Sequence, residues 1–166
     1  MGYKIEDLSQ QVAGLLLDQQ KTLALAESCT GGWVAKSLTD LAGSSQWFLG
    51  GVVSYSNEAK KSLLGVDAHA LKTYGAVSEQ VAKMMAAGSQ SAFSSDCSLS
   101  ITGIAGPTGG DIEKPVGLVW FGLKIGSLEP YGQQHNFSGN RDSIRQQAVA
   151  MALKILIEKL VAEHEK

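Results

Sequence analysis

Apolar residues recur every three or four positions at Ile5, Leu8, Val12, Leu15 and Leu16, which predicts an amphipathic helix over about residues 4–19. The period then changes. Lys21 to Ala26 is a short apolar run bounded by polar residues and reads as a buried strand. Val34, Leu38 and Leu41 mark one face of a second helix from Trp33 to Leu41, which Ala42-Gly43-Ser44-Ser45 ends. Trp47 to Leu49 lead into Gly50-Gly51, and Val52 to Tyr55 is the next strand. Ser56 to Lys61 open a short helix that Gly65 stops; Asn57 is read as its cap. A further helical turn falls within Val66 to Tyr74. Ser78 caps a helix reaching about Phe93, and Ser98 to Thr102 is a third strand. That strand opens on the glycine-rich loop Gly103 to Gly110. Val116 to Lys124 and Tyr131 to Phe137 are consecutive strands joined by a hairpin connection, Gly126 to Pro130. The helical period returns at Ile144, Ala148, Met151, Ile155 and Leu160, behind a cap at Asn140. Helices at both ends and between strands predict an α/β fold, a three-layer α/β/α single domain. The adjacent late strands make its β-sheet mixed.

Composition narrows the ligand more than the fold. A chain of 166 residues with 44% apolar content is one domain with a sizeable core. Its net charge of −2 and lack of a basic stripe count against nucleic acid, so an anionic ligand must be held by a few local groups. Two cysteines, Cys29 and Cys97, make no disulfide scaffold and suit a reducing, cytoplasmic location. The polar start MGYKIEDLSQ is unlike a signal peptide, and no apolar run approaches a membrane span. The three histidines fall in no motif and no metal-ligand spacing is present, so neither metal nor cofactor is expected.

Chemistry gathers in three segments. The stretch Leu23 to Gly32, LALAESCTGG, runs from a strand into a turn and then a helix, a common seat for a nucleophile or an anion. Ser28 there is either a plain N-cap or a nucleophile; as a nucleophile it needs a nearby base. Cys29 competes, because a thiol at a helix N-terminus is activated, yet it has no histidine partner. Serine leads if a base other than histidine exists. Lys60 is such a base: with Asn57 as cap it occupies the third helical position, where the helix dipole and burial both disfavour a protonated amine. The competing reading is that Lys60 and Lys61 form a solvated face. Tyr55, just before the helix, can pass a proton or orient the lysine. The loop Thr102 to Gly110 is neither a Walker loop nor a dinucleotide fingerprint, but its glycines let a ligand approach the backbone. Arg141 and Arg145 share a helix face and can clamp a phosphate, or are ordinary surface arginines.

Taken together, AESCTGG (26–32), YSNEAK (55–60), TGIAGPTGG (102–110), KPVG (114–117) and GNRDSIR (139–145) resemble, in order, the motifs of the CinA C-terminal domain family. The resemblance spans essentially the whole chain, residues 1–166, as one CinA C-terminal-like amidohydrolase domain. Single-domain members of the PncC type hydrolyse the carboxamide of nicotinamide mononucleotide, giving nicotinic acid mononucleotide and ammonia in pyridine-nucleotide recycling. The resemblance implies Ser28 as nucleophile, Lys60 as general base and Tyr55 as helper. It implies a small nucleotide substrate held around Thr30, Gly31, Gly32, Asn57, Thr102, Gly103, Gly106, Arg141 and Arg145, with N–H groups near Thr30 to Gly32 or in the glycine loop holding the oxyanion. The molybdopterin-binding-like domain of larger relatives, and its pyrophosphatase chemistry, are not expected. A non-catalytic nucleotide-binding module and an amidase for another small amide are the competing readings. A homo-oligomer, a dimer by preference, is expected because small α/β enzymes often complete their sites across a symmetric interface.

Overall fold

The computed structural model describes residues 4–166; the first three residues of the polar start lie outside it. In chain order the elements are α1 (Ile5–Asp18), β1 (Leu23–Glu27), α2 (Trp33–Thr39), β2 (Phe48–Val53), α3 (Asn57–Leu64), α4 (Ala68–Tyr74), α5 (Glu79–Phe93), β3 (Cys97–Gly103), β4 (Leu118–Ile125), β5 (Tyr131–Asn136) and α6 (Arg141–His164). The sheet order is β2-β1-β3-β4-β5. β1 is parallel to both its neighbours, while β3–β4 and β4–β5 pair antiparallel, so the sheet is mixed. Helices α1, α2 and α6 cover one face and α3, α4 and α5 the other, which completes the three layers.

Side-chain size separates the two faces of the central strands. Leu23, Leu25, Leu99, Ile101 and Phe121 point into the larger core with Val12, Leu16, Val34, Leu38, Leu153 and Leu156. The opposite face carries Ala24, Ala26, Ser98, Ser100 and Gly122, all small, and there α5 lies close. Ser100 Oγ donates to Ala82 O at 2.5 Å and Ser98 Oγ to Ala86 O, so the strand hydroxyls are satisfied by the helix backbone. A Cβ on Gly122 would come 2.2 Å from Ala82 O. The same closeness recurs between helices: a Cβ on Gly88 of α5 would lie 1.9 Å from Leu64 O at the end of α3. α3, which carries Lys60, is thereby drawn against α5 and the sheet.

Three expectations shift. β2 begins at Phe48 and runs through Gly50 and Gly51 to Val53, not from Val52 to Tyr55. The two glycines pair with Ala24 and Leu25 of β1, and a Cβ at Gly50 would meet the Phe93 ring at 2.6 Å. Close packing, not strand propensity, therefore selects them. The segment before Tyr74 is a full helix, α4, capped by Asp67, whose carboxylate accepts from His69 N at 3.2 Å. The third helix is capped by Ser56 in place of Asn57: Ser56 Oγ accepts from Ala59 N at 3.0 Å. Asn57 becomes the first helical residue and Lys60 the fourth.

The topology also fixes where a ligand belongs. From β1 the chain proceeds to β2 on one side, and β3 flanks β1 on the other. The crevice at the carboxyl ends of β1 and β3 lies where the strand order reverses, the usual ligand position in open α/β sheets.

Candidate active site

Ser28 is the first residue beyond β1. Its N–H donates to Ile101 O of β3 at 2.9 Å, which continues the β1–β3 ladder one step and holds the serine at the crevice. The hydroxyl is not a helix cap, because α2 starts only at Trp33. It faces Lys60 instead. Lys60 is 1% exposed, and its Nζ lies 3.0 Å from Ser28 Oγ, 2.8 Å from Ser54 O and 3.2 Å from Tyr55 O. All three partners are neutral.

The set of partners fits either protonation state, and burial favours the neutral one. Burial pushes the Lys60 amine below its ordinary pKa; the nearby Cys29 sulfur acts more weakly in the opposite direction. A neutral amine has two N–H donors and one lone pair, arranged tetrahedrally. The two carbonyls can only accept, so they take both N–H groups, and the lone pair is left toward the Ser28 hydroxyl. In this state the serine O–H donates to the lysine, the geometry a general base requires.

In front of the pair lies a pocket of about 270 Å³. Ser28, Lys60, Tyr55, Asn57, Thr102, Gly103, Gly106 and Arg141 all line it, so the structure gathers these sequence-selected residues in one place. Tyr55 contributes differently from expectation. Its carbonyl holds Lys60, while its phenol, on a side chain 60% exposed, accepts from Arg141 Nη2 at 3.1 Å. Arg141 follows the Asn140 cap of α6 and also donates through Nη1 to Gly106 O at 2.7 Å, so it bridges the glycine loop and Tyr55. Gly106 takes a φ of 74°, and a Cβ there would meet Val116 at 2.4 Å. Ala76, Val77, Ile104, Ala105, Thr108 and Gly109 complete the lining. The sequence reading missed Ala76 and Val77. The only hint was their place just ahead of the Ser78 cap; Thr102 Oγ1 donates to Ala76 O at 3.0 Å and ties that segment to β3.

Thr30, Gly31, Gly32 and Arg145 are not among the lining residues. Thr30 is buried and its hydroxyl donates to Glu27 Oε1 at 2.7 Å, while Gly31 N–H donates to Ser28 O at 3.0 Å. The start of α2 is occupied as well: Val34 and Ala35 donate their N–H groups to the Glu27 carboxylate at 2.9 and 3.0 Å. An oxyanion would have to displace a carboxylate there. Arg145 donates through Nε to Cys29 O at 3.0 Å and through Nη2 to Thr30 O at 3.2 Å, with its guanidinium 5.5 Å from the Trp33 ring centre.

Cys29 lines the pocket but is 7% exposed, and burial above all, with the Glu27 charge to a smaller degree, pushes its thiol up to about 12. Such a thiol is not ionised at neutral pH. His69 contacts Thr73 and His135 stacks on Phe137, both outside the pocket. Among the described residues no group of three His, Cys, Asp or Glu side chains could hold a metal, and no helix is long and apolar enough to cross a membrane.

Residues 5–160 match the model of the CinA C-terminal domain. The chain is 49% identical over 158 residues to the nicotinamide-nucleotide amidohydrolase PncC of Escherichia coli K12, covering 95% of this chain and 96% of that one. It is 51% identical to a CinA-like protein of Syntrophomonas wolfei, where the match covers 94% of this chain but 37% of the longer relative. Among solved structures, a CinA superfamily protein from Klebsiella pneumoniae superposes with a TM-score of 0.92 at 35% identity, covering 96% of this chain and 99% of that chain. The competence/damage inducible protein CihA of Agrobacterium tumefaciens gives 0.91 at 38% identity, covering 95% and 97%.

Proposed function

The chain belongs to the CinA C-terminal domain family, and from that premise we propose that it is a nicotinamide-nucleotide amidohydrolase working through Ser28 and Lys60. The substrate is nicotinamide mononucleotide, and the products are nicotinic acid mononucleotide and ammonia. The observation that carries the reading is the buried Lys60 Nζ 3.0 Å from Ser28 Oγ at the floor of a pocket.

Lys60 takes the proton of Ser28 as its oxygen attacks the amide carbon. N–H groups of the Gly103–Gly106 loop, other than that of Ile104, which donates to Leu118 O at 2.9 Å, hold the developing oxyanion. The protonated Lys60 then gives its proton to the departing ammonia. Water, activated by the neutral Lys60, releases the acid from the serine ester. Burial serves both halves of the cycle, because a lowered amine pKa makes the neutral base easier to reach and the ammonium readier to return its proton. Arg141 supplies positive charge at the pocket rim for the phosphate.

The rest of the proposal is a cytoplasmic enzyme with no nucleic-acid partner, in keeping with a net charge of −2. A homo-oligomer is included, supported by exposed apolar Leu49 and Val53 on the edge strand β2 and by Leu63 on α3; light scattering on the purified protein checks it.

The test is ammonia release from nicotinamide mononucleotide by wild type, Ser28→Ala, Lys60→Ala and Cys29→Ala. Turnover lost in the first two and kept in the third supports the reading. Full activity in Ser28→Ala ends it, and tight nucleotide binding without turnover by wild type favours a binding module.

A further inference from the structure

The turn that carries Ser28 is gripped from two sides by charged side chains that do not line the pocket. From below, Glu27, 1% exposed, accepts from Thr30 Oγ1 and from the N–H groups of Val34 and Ala35. Its carboxylate thus fastens the end of β1 to the middle of the turn and to the first turn of α2. From the other side, Arg145 of α6 holds the carbonyls of Cys29 and Thr30, the two residues directly after Ser28. The Trp33 ring supports the guanidinium.

The two glycines of the segment suit this grip. Gly31 and Gly32 take φ of 62° and 101°, and a Cβ on Gly31 would already lie 3.3 Å from Arg145 Nη2. The pair therefore lets the turn close under the arginine.

We infer that Glu27 and Arg145 are positioning residues: together they fix the Ser28 turn so that the serine hydroxyl meets Lys60, and Arg145 is not a ligand of the substrate phosphate. The inference rests on the reading of Ser28 as nucleophile. It has a kinetic consequence, because a displaced nucleophile slows chemistry while a lost phosphate contact weakens binding.

The experiment compares kcat and KM for ammonia release by Arg145→Ala, Arg145→Lys and Glu27→Gln, with and without guanidinium ion at a concentration that leaves wild type unaffected. Arg145→Ala is expected to lose roughly 10- to 100-fold in kcat. Its KM stays within about threefold of wild type. Added guanidinium restores part of the rate, and Arg145→Lys, able to replace one hydrogen bond, falls between. Glu27→Gln shows the same loss confined to kcat; should it fail to fold, the Arg145 variants carry the test alone. A rise in KM above about tenfold at unchanged kcat would make Arg145 a phosphate ligand and overturn the inference, as would wild-type kcat in Arg145→Ala. Activity retained by Ser28→Ala would strike at the nucleophile itself, whereas an inactive Ser28→Ala beside a fully active Arg145→Ala would remove only the positioning role.

Discussion

Lys60 Nζ stands 3.0 Å from Ser28 Oγ, and the carbonyls of Ser54 and Tyr55 occupy its other two near partners. On the proposed mechanism a pair built this way supplies a catalytic base at a stability cost. Several measurable properties should reflect that.

The activity should rise with pH on an acid limb set by Lys60. As the proposed base the amine acts only when neutral, and burial lowers its pKa from 10.5, so the limb is expected below that value. A pH profile of kcat/KM checks this. Lys60→Ala should lose about 10²–10⁴-fold and the limb with it. Lys60→Arg should be equally inactive, because a guanidinium stays protonated across the range.

Lys60→Met should be inactive, and its heat stability relative to wild type should be highest at neutral pH and fall as pH rises. A lysine whose folded pKa lies below its unfolded one binds fewer protons when folded, so its contribution to stability improves as pH rises from the folded pKa toward 10.5. Below the folded pKa the penalty is present in full, and methionine removes it. Melts of both proteins at pH 7 and pH 10 test the sign: the methionine variant should lose ground to wild type at the higher pH.

Cys29 should be dispensable. A thiol pushed up to about 12 is a poor nucleophile at neutral pH, so iodoacetamide should leave it unmodified in the folded protein, as it should Cys97, pushed up to about 11. Cys29→Ala should keep its kcat and lose about 1 kcal/mol of stability from the smaller buried side chain. Mass spectrometry after alkylation and a thermal melt read the two outcomes.

Arg141→Ala should act on binding. Hydrogen bonds to a charged group are worth about 1.5–3 kcal/mol, so KM for the nucleotide should rise about 10- to 100-fold. With nicotinamide riboside, which lacks the phosphate, wild type and variant should differ little. Equal losses on both substrates would assign Arg141 to holding Tyr55 and Gly106 alone.

Gly88→Ala should damage the site from a distance. The new methyl would press on Leu64 O at the end of α3, and overpacking of this kind costs about 1–3 kcal/mol. Because α3 carries Lys60, kcat should fall alongside the melting temperature.

The elements that the chain announces most clearly are those whose side chains pack as their period dictates: the run of β1, and the stripes of α1, α5 and α6. Ser28 and Lys60 were legible as candidates for a related reason, since Ser28 directly follows β1 and Lys60 lies near the start of α3, each with a chemically unusual neighbourhood. What was hidden depends on contacts distant in sequence. Gly50 and Gly51 look like a break in a strand until the Phe93 ring and Leu25 are seen against them. Ser56 and Asn57 are both good caps, and only the backbone at the start of α3 decides between them. Glu27 reads as the polar end of a strand, yet its carboxylate reaches Ala35, eight residues on, and fills the helix start that the sequence offered to an oxyanion. Arg145 shares a helix face with Arg141 but contacts the turn of Ser28 instead of lining the pocket.

The most direct test of the account is to acid-quench wild type during its first turnover with nicotinamide mononucleotide and map the mass of its peptides. The account predicts that the peptide containing Ser28 carries the substrate less ammonia, with the modification on Ser28, and that Ser28→Ala carries none. An adduct on Cys29 or Tyr55, or turnover by Ser28→Ala without any adduct, would contradict it.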